Sequence, residues 1–116
     1  MKAVFQRVSR AEVRSEGRVC GGIGPGAVIL LGVGRGDNEA LAQRLADKVA
    51  KLRVFDDEDG KMNCPMNSAH GAKFLVVSQF TLHGDVRKGN RPSYIEAAPP
   101  ARAEPLYESF VSRLRH

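Results

Sequence analysis

The 116-residue chain has no tryptophan, only two cysteines and three histidines, and no long apolar run. Each shortage removes a class of chemistry. Cys20 and Cys64 lie far apart without a Cys-x-x-Cys pair, and in a cytosolic setting both thiols are expected to be reduced. His70, His83 and His116 form no pair at ligand spacing with either cysteine, so no metal site is expected. The longest apolar run, Ala27-Val28-Ile29-Leu30-Leu31, is strand-sized and far short of the ~18 residues of a membrane helix. The segment Met1-Lys2-Ala3-Val4-Phe5-Gln6-Arg7 breaks off too early for a signal-peptide apolar region, and a cytoplasmic protein without membrane contact is expected. Neither glycine set, at 22, 24 and 26 or at 32, 34 and 36, makes a GxGxxG or Walker loop. No repeat, low-complexity tract, paired carboxylates or Ser-His-Asp order is present.

What remains is an ordinary globular composition, 42% hydrophobic and 27% charged, with a mean hydropathy of -0.29 and room for one domain over residues 1–116. A net charge of +5 permits a polyanionic partner without requiring one.

Lys2 to Arg14 reads as one strand, Ser15-Glu16-Gly17 as a hairpin turn and Arg18 to Ile23 as its return. Gly24-Pro25-Gly26 is a second turn, and Ala27 to Val33 a strand covered on both faces. Asp37 is placed to cap a helix over 38–52, in which Leu41, Leu45, Val49 and Leu52 recur at helical spacing. A short strand at Val54-Phe55, a polar turn at 56–63 and an irregular stretch at 64–71 precede a buried strand from Phe74 to Leu82. Pro99-Pro100 opens a last helix, with an apolar stripe of Leu106, Tyr107, Phe110 and Leu114, that runs to His116. The pattern predicts an α/β or α+β layer protein with a mixed or antiparallel sheet.

The acidic run from Asp56 fails as a calcium loop: Phe55 and Met66 occupy the first and last ligand positions, so it reads as a solvated turn. Cys64 has no activating pair nearby, and His83 reads as a surface turn residue that could serve as a general base. Two segments carry more. Ser78, Gln79 and Thr81 stand at the end of an apolar strand, where buried polar groups must find partners in protein, water or ligand. On a strand, Ser78 and Phe80 would face one way and Gln79 and Thr81 the other. Arg87, Lys88 and Arg91, spaced by Gly89 and Asn90, form a basic loop suited to phosphate.

Together these segments resemble the bacterial D-aminoacyl-tRNA deacylase family. The likeness runs from Lys2-Ala3-Val4-Phe5-Gln6-Arg7-Val8 through Asp59-Gly60-Lys61-Met62-Asn63 to Ala103-Glu104-Pro105-Leu106-Tyr107-Glu108. It is strongest at Val77-Ser78-Gln79-Phe80-Thr81-Leu82 and Arg87-Lys88-Gly89-Asn90-Arg91-Pro92-Ser93. The resemblance implies a three-layer α/β/β single domain. It implies a homodimer that hydrolyses the ester of a D-amino acid on tRNA, or of glycine mischarged on the alanine tRNA, without metal or cofactor. That activity recycles tRNA and enforces homochirality in translation. It further implies that Ser78, Gln79, Phe80 and Thr81 line the pocket, with Arg7 bracing its wall and Arg87, Lys88 and Arg91 binding tRNA. The backbone N–H groups of Phe80 and Thr81 would hold the oxyanion. Thr81 is one candidate nucleophile; the other account has the RNA 2′-OH organise the attacking water, and it is preferred because no base accompanies Thr81.

Two departures stand out. The family's Asn-x-Gly-Pro-Val-Thr signature, whose cis Gly-Pro bond excludes L-amino acids, does not occur in these 116 residues. The expectation is therefore a chain lacking its last strands, with an uncovered sheet edge, that is unstable, inactive or indiscriminate; the alternative is a non-catalytic tRNA-binding or dimerisation remnant. His83 stands where the family often has tyrosine.

Overall fold

In the computed structural model, which describes residues 1–66 and 70–115, the chain runs β1 (Lys2–Val8), β2 (Ala11–Ser15), β3 (Arg18–Ile23), β4 (Gly26–Gly32), α1 (Glu39–Lys51), β5 (Phe55–Asp56), β6 (Met62–Cys64), β7 (Lys73–Ser78), a 3-10 turn (Phe80–His83) and α2 (Pro100–Leu114). The main sheet has the order β1-β4-β7 and is mixed, as β4 pairs antiparallel with β1 and parallel with β7. β2 and β3 form a separate ribbon, and β5 and β6 another.

β4 is central, with Ala27, Ile29 and Leu31 fully covered on the helix side; Val28 and Leu30 on its other face are half-buried, so the strand expected to be covered on both faces is closed completely only on one. Ile29 and Leu31 meet Ala42, Ala46 and Val49 of α1 and Phe110 of α2, and Ala3, Phe5, Phe74 and Val76 close around them. Full burial of each large side chain stabilises the fold by about 1.5–3 kcal/mol. The helices cover one face of the sheet. The β2–β3 ribbon approaches the other, with Gly21 close to Leu75. The result is the α/β/β layering expected from the resemblance.

Local signals account for several boundaries. Glu16 (φ 53°) and Gly17 (φ 78°) make the tight ribbon turn, and α2 starts at Pro100 after extended Pro99. Others are corrected. The expected strand from Lys2 to Arg14 breaks at Ser9-Arg10 into β1 and β2, which belong to different sheets. Asn38, not Asp37, caps α1: its side chain accepts from the Leu41 N–H, while the Asp37 carboxylate is engaged elsewhere. Ala42, Ala46 and Val49 form the buried line of α1, and Leu41 and Leu45 are only half-buried. Met62–Cys64 pairs with Phe55–Asp56 where a turn and an irregular stretch were expected; residues 67–69 and the expected helix end at His116 lie outside the described residues. The Asp57 carboxylate accepts from the Asp59 and Lys61 N–H groups and the Asn63 amide, which makes the acidic run a self-bonded turn.

Side-chain bonds tie α2 down, among them two to α1 and β7. Arg113 forks onto Asp47 of α1 at 2.8 and 3.1 Å, and the Tyr107 hydroxyl donates to the Val76 carbonyl of β7 at 2.8 Å. Tyr107→Phe removes only the second bond and is expected to cost about 1 kcal/mol in urea unfolding; an unchanged midpoint would show that solvent replaces it.

Candidate functional site

The strand expected to reach Leu82 stops at Ser78. The Gln79 N–H completes the parallel ladder by donating to the Leu31 carbonyl at 2.8 Å, but β4 itself ends at Gly32, so no partner remains for a longer β7. The backbone then tightens into the turn at Phe80–His83, closed by Gly84 N–H to the Thr81 carbonyl at 3.0 Å. The alternating orientation expected for residues 78–81 is thereby lost. Instead the amides are set apart: the Gln79 N–H is taken, whereas among the described residues those of Phe80 and Thr81 meet no protein acceptor.

The turn sits directly on the end of β4. A Cβ on Gly32 would come within 2.9 Å of the Leu82 Cβ and 3.1 Å of the His83 ring, so only glycine permits this approach. His83 is not the surface residue expected. Its Nε2 is buried without a partner among the described residues, and its ring lies against Gly34 close to the Asp37 carboxylate.

Asp37 is the hub behind the turn. Its oxygens lie 2.6 and 2.8 Å from the Met1 ammonium, and it accepts from the Gly34 N–H at 2.7 Å. Burial pushes its pKa up, but these hydrogen bonds and the adjacent positive charge outweigh burial and hold it below the usual carboxylate range.

An apolar cavity of about 800 Å³ opens beside the strand end, lined by Val13 of the ribbon, Leu75, Val77 and Ser78 of β7, and Ala103 and Tyr107 of α2. Phe80 and Tyr94 stand at its wall, edge to face at 5.2 Å and 57% and 40% exposed. Ser78 and Phe80 border this cavity; Gln79 and Thr81 adjoin it, with the Gln79 amide nitrogen donating to the Thr81 hydroxyl. No His, Asp or Glu among the described residues hydrogen-bonds that hydroxyl.

The structure separates the expected cations. Arg7 does not border this cavity: it pairs with Ala27, which pairs with Phe74, roughly 13 Å along the sheet from Ser78. There Arg7 meets Asp56 at 3.3 Å. Asp85 and Ser93 close the basic loop through two backbone bonds of 2.8 Å. Arg87 forks onto Asp85 at 2.6–3.0 Å; this bonding draws the Asp85 pKa down to about 2 and raises that of Arg87. Lys88 and Arg91 are exposed and form no ion pair among the described residues. Sequence reasoning missed Lys2, whose ammonium reaches the Leu82 carbonyl at 3.2 Å, and Tyr94. Lys2 gave no local signal, because it is brought to the turn only by strand pairing. Cys64 lies on β6, at a separate cavity near Asp56 and His70. Among the described residues no group of three or more His, Cys, Asp or Glu could hold a metal, and no helix is long and apolar enough to cross a membrane.

The D-Tyr-tRNA(Tyr) deacylase family model matches residues 4–116. The D-aminoacyl-tRNA deacylase of Symbiobacterium thermophilum is 62% identical over 115 residues, 99% of this chain and 76% of the relative. That of Thermosipho africanus is 52% identical over 116 residues, covering 100% and 77%. Among solved structures, the "c-Myc DNA Unwinding Element Binding Protein" superposes with a TM-score of 0.90 at 41% identity, over 99% of this chain and 76% of that one. A probable eukaryotic D-amino acid tRNA deacylase shares the fold alone, with a TM-score of 0.76 at 16% identity over 97% of this chain and 66% of that one. With its strand end, turn and basic loop in the order its motifs require, the chain belongs to the D-Tyr-tRNA(Tyr) deacylase family.

Proposed function

We propose that this protein is a hydrolase that cleaves the ester joining a D-amino acid to the 3′ adenosine of tRNA, with residues 1–116 acting as one domain. The observation that carries this reading is the pair of N–H groups, on Phe80 and Thr81, that meet no acceptor among the described residues, beside an apolar cavity large enough for an aminoacyl group. The ester carbonyl carbon takes up water. The negative charge that builds on its oxygen is met by those two amides, which require no reorganisation at the moment of reaction. Collapse of the tetrahedral species breaks the carbon–oxygen bond to the ribose and releases amino acid and tRNA. Ser78 and Gln79 position the substrate, and Lys88 and Arg91 meet its phosphates. Water is the nucleophile, organised by the RNA 2′-OH. The Thr81 hydroxyl already accepts from Gln79 and is hydrogen-bonded to no base among the described residues. The substrate is cytoplasmic charged tRNA, and a second copy of the chain seats against exposed Val4, Phe80 and Ile95.

Protein that also carries the family's Asn-x-Gly-Pro-Val-Thr segment, supplied with D-Tyr-tRNA and L-Tyr-tRNA, is expected to release the D-amino acid faster. No D-selective ester loss with enzyme in excess over substrate overturns the reading, as does salt-sensitive tRNA binding without turnover. Thr81→Ala is expected to retain kcat within about tenfold of the unaltered protein; a fall beyond about 10³-fold makes Thr81 the nucleophile.

A further inference from the structure

We propose that Lys2 binds the phosphate of the tRNA's terminal nucleotide, an inference that rests on the deacylase reading. On β1, Ala3 and Phe5 pack into the helix-covered core, so Lys2, Val4 and Gln6 project from the opposite face. That is the face on which Leu75 and Val77 line the cavity. Lys2 pairs with Gly32, the β4 residue on which the turn rests. Its ammonium sits 3.2 Å from the Leu82 carbonyl, beside Thr81.

Its charge is available. The one described contact of the ammonium is a neutral carbonyl, leaving two of its three donors for a ligand. The Asp85 carboxylate, whose pKa is drawn down chiefly by Arg87 and least by Lys2, is already forked by Arg87. Arg87, the first cation of the basic motif, is answered within its own loop, whereas Lys2 forms no ion pair among the described residues. From the Phe80 amide to the Leu82 carbonyl the turn advances by roughly 4–6 Å, at the ~2.0 Å rise of a 3-10 helix. One ribose spans such a distance. An ester carbonyl at the amides therefore places the 5′-phosphate of the same nucleotide near the ammonium.

The test uses two substrates, D-Tyr-tRNA and D-tyrosyl-adenosine, which carries the ester but no phosphate. Lys2→Gln is expected to lower the ratio of kcat/KM on tRNA to that on the adenosine ester about tenfold, the effect of one charged hydrogen bond. The loss falls on KM, and the salt slope on tRNA drops by about 0.7. Lys2→Arg restores most of both. An unchanged ratio overturns the proposal, either because tRNA hydrolysis is untouched or because both substrates suffer equally, as a purely structural tie to Leu82 would cause. Failure of the unaltered protein on both substrates instead removes the deacylase reading.

Discussion

Phe80→Pro is expected to lower kcat on D-aminoacyl-tRNA by about 10²–10³-fold relative to Phe80→Ala, the loss typical when one oxyanion donor is deleted. Proline removes the N–H while fitting the local backbone. Phe80 is the first residue of the turn, where a fixed φ near −65° is tolerated. Gln79 before it is already outside the α region, with φ −146° and ψ 94°, and needs only a modest rotation in ψ to reach the backbone favoured before proline. The alanine variant is the necessary reference because it also gives up the ring that stands against Tyr94. The ratio of the two isolates the main-chain donor from the side chain. Equal kcat for two variants with matching circular dichroism would take the Phe80 amide out of the reaction.

Asp37→Asn is expected to cost about 3–5 kcal/mol of stability in urea unfolding at pH 7, the range for breaking one half of a buried ion pair. The Asp37 side chain is 9% exposed and its bond to the Met1 ammonium is partly buried, so water replaces the lost charge only in part. The effect must depend on pH with a definite sign. The Asp37 pKa is lower in the folded protein than its unfolded value near ~3.9, so the stabilisation is present above that value. It is lost as pH falls through the lower folded value. The stability gap between the unaltered protein and the variant should therefore be constant from pH 7 to about pH 5 and narrow below about pH 4. A gap independent of pH down to 2.5 would assign the loss to packing instead of charge.

Elements set by neighbouring residues were legible before the structure was known. The ribbon turn at Glu16-Gly17, the amphipathic run of α1 and the proline start of α2 each depend on a few adjacent side chains. Features set by distant partners were not. β7 ends at Ser78 because β4 ends at Gly32, and no property of Gln79 or Phe80 announces it. Asp37 looked like a helix cap because a short acid before an apolar run ordinarily is one; its true partner is 36 residues away. At the candidate site, the motif around Phe80 and Thr81 read as a strand end, whereas its backbone is a tight turn. The basic loop was seen, but the Asp-x-Arg fork that engages Arg87 was not used, although its spacing is visible in Asp85 and Arg87.

The mixed pairing of β4 also sets an order of assembly. β1 meets β4 through the ribbon that separates them, a short return that closes early. β7 joins in the parallel sense, which no hairpin can deliver, so residues 33–72 must first be gathered, α1 among them. Docking of β7 is a non-local step of folding, and until it occurs the Leu31 carbonyl has no Gln79 N–H to accept from. The turn at Phe80–His83 therefore acquires its shape only after this long connection has closed.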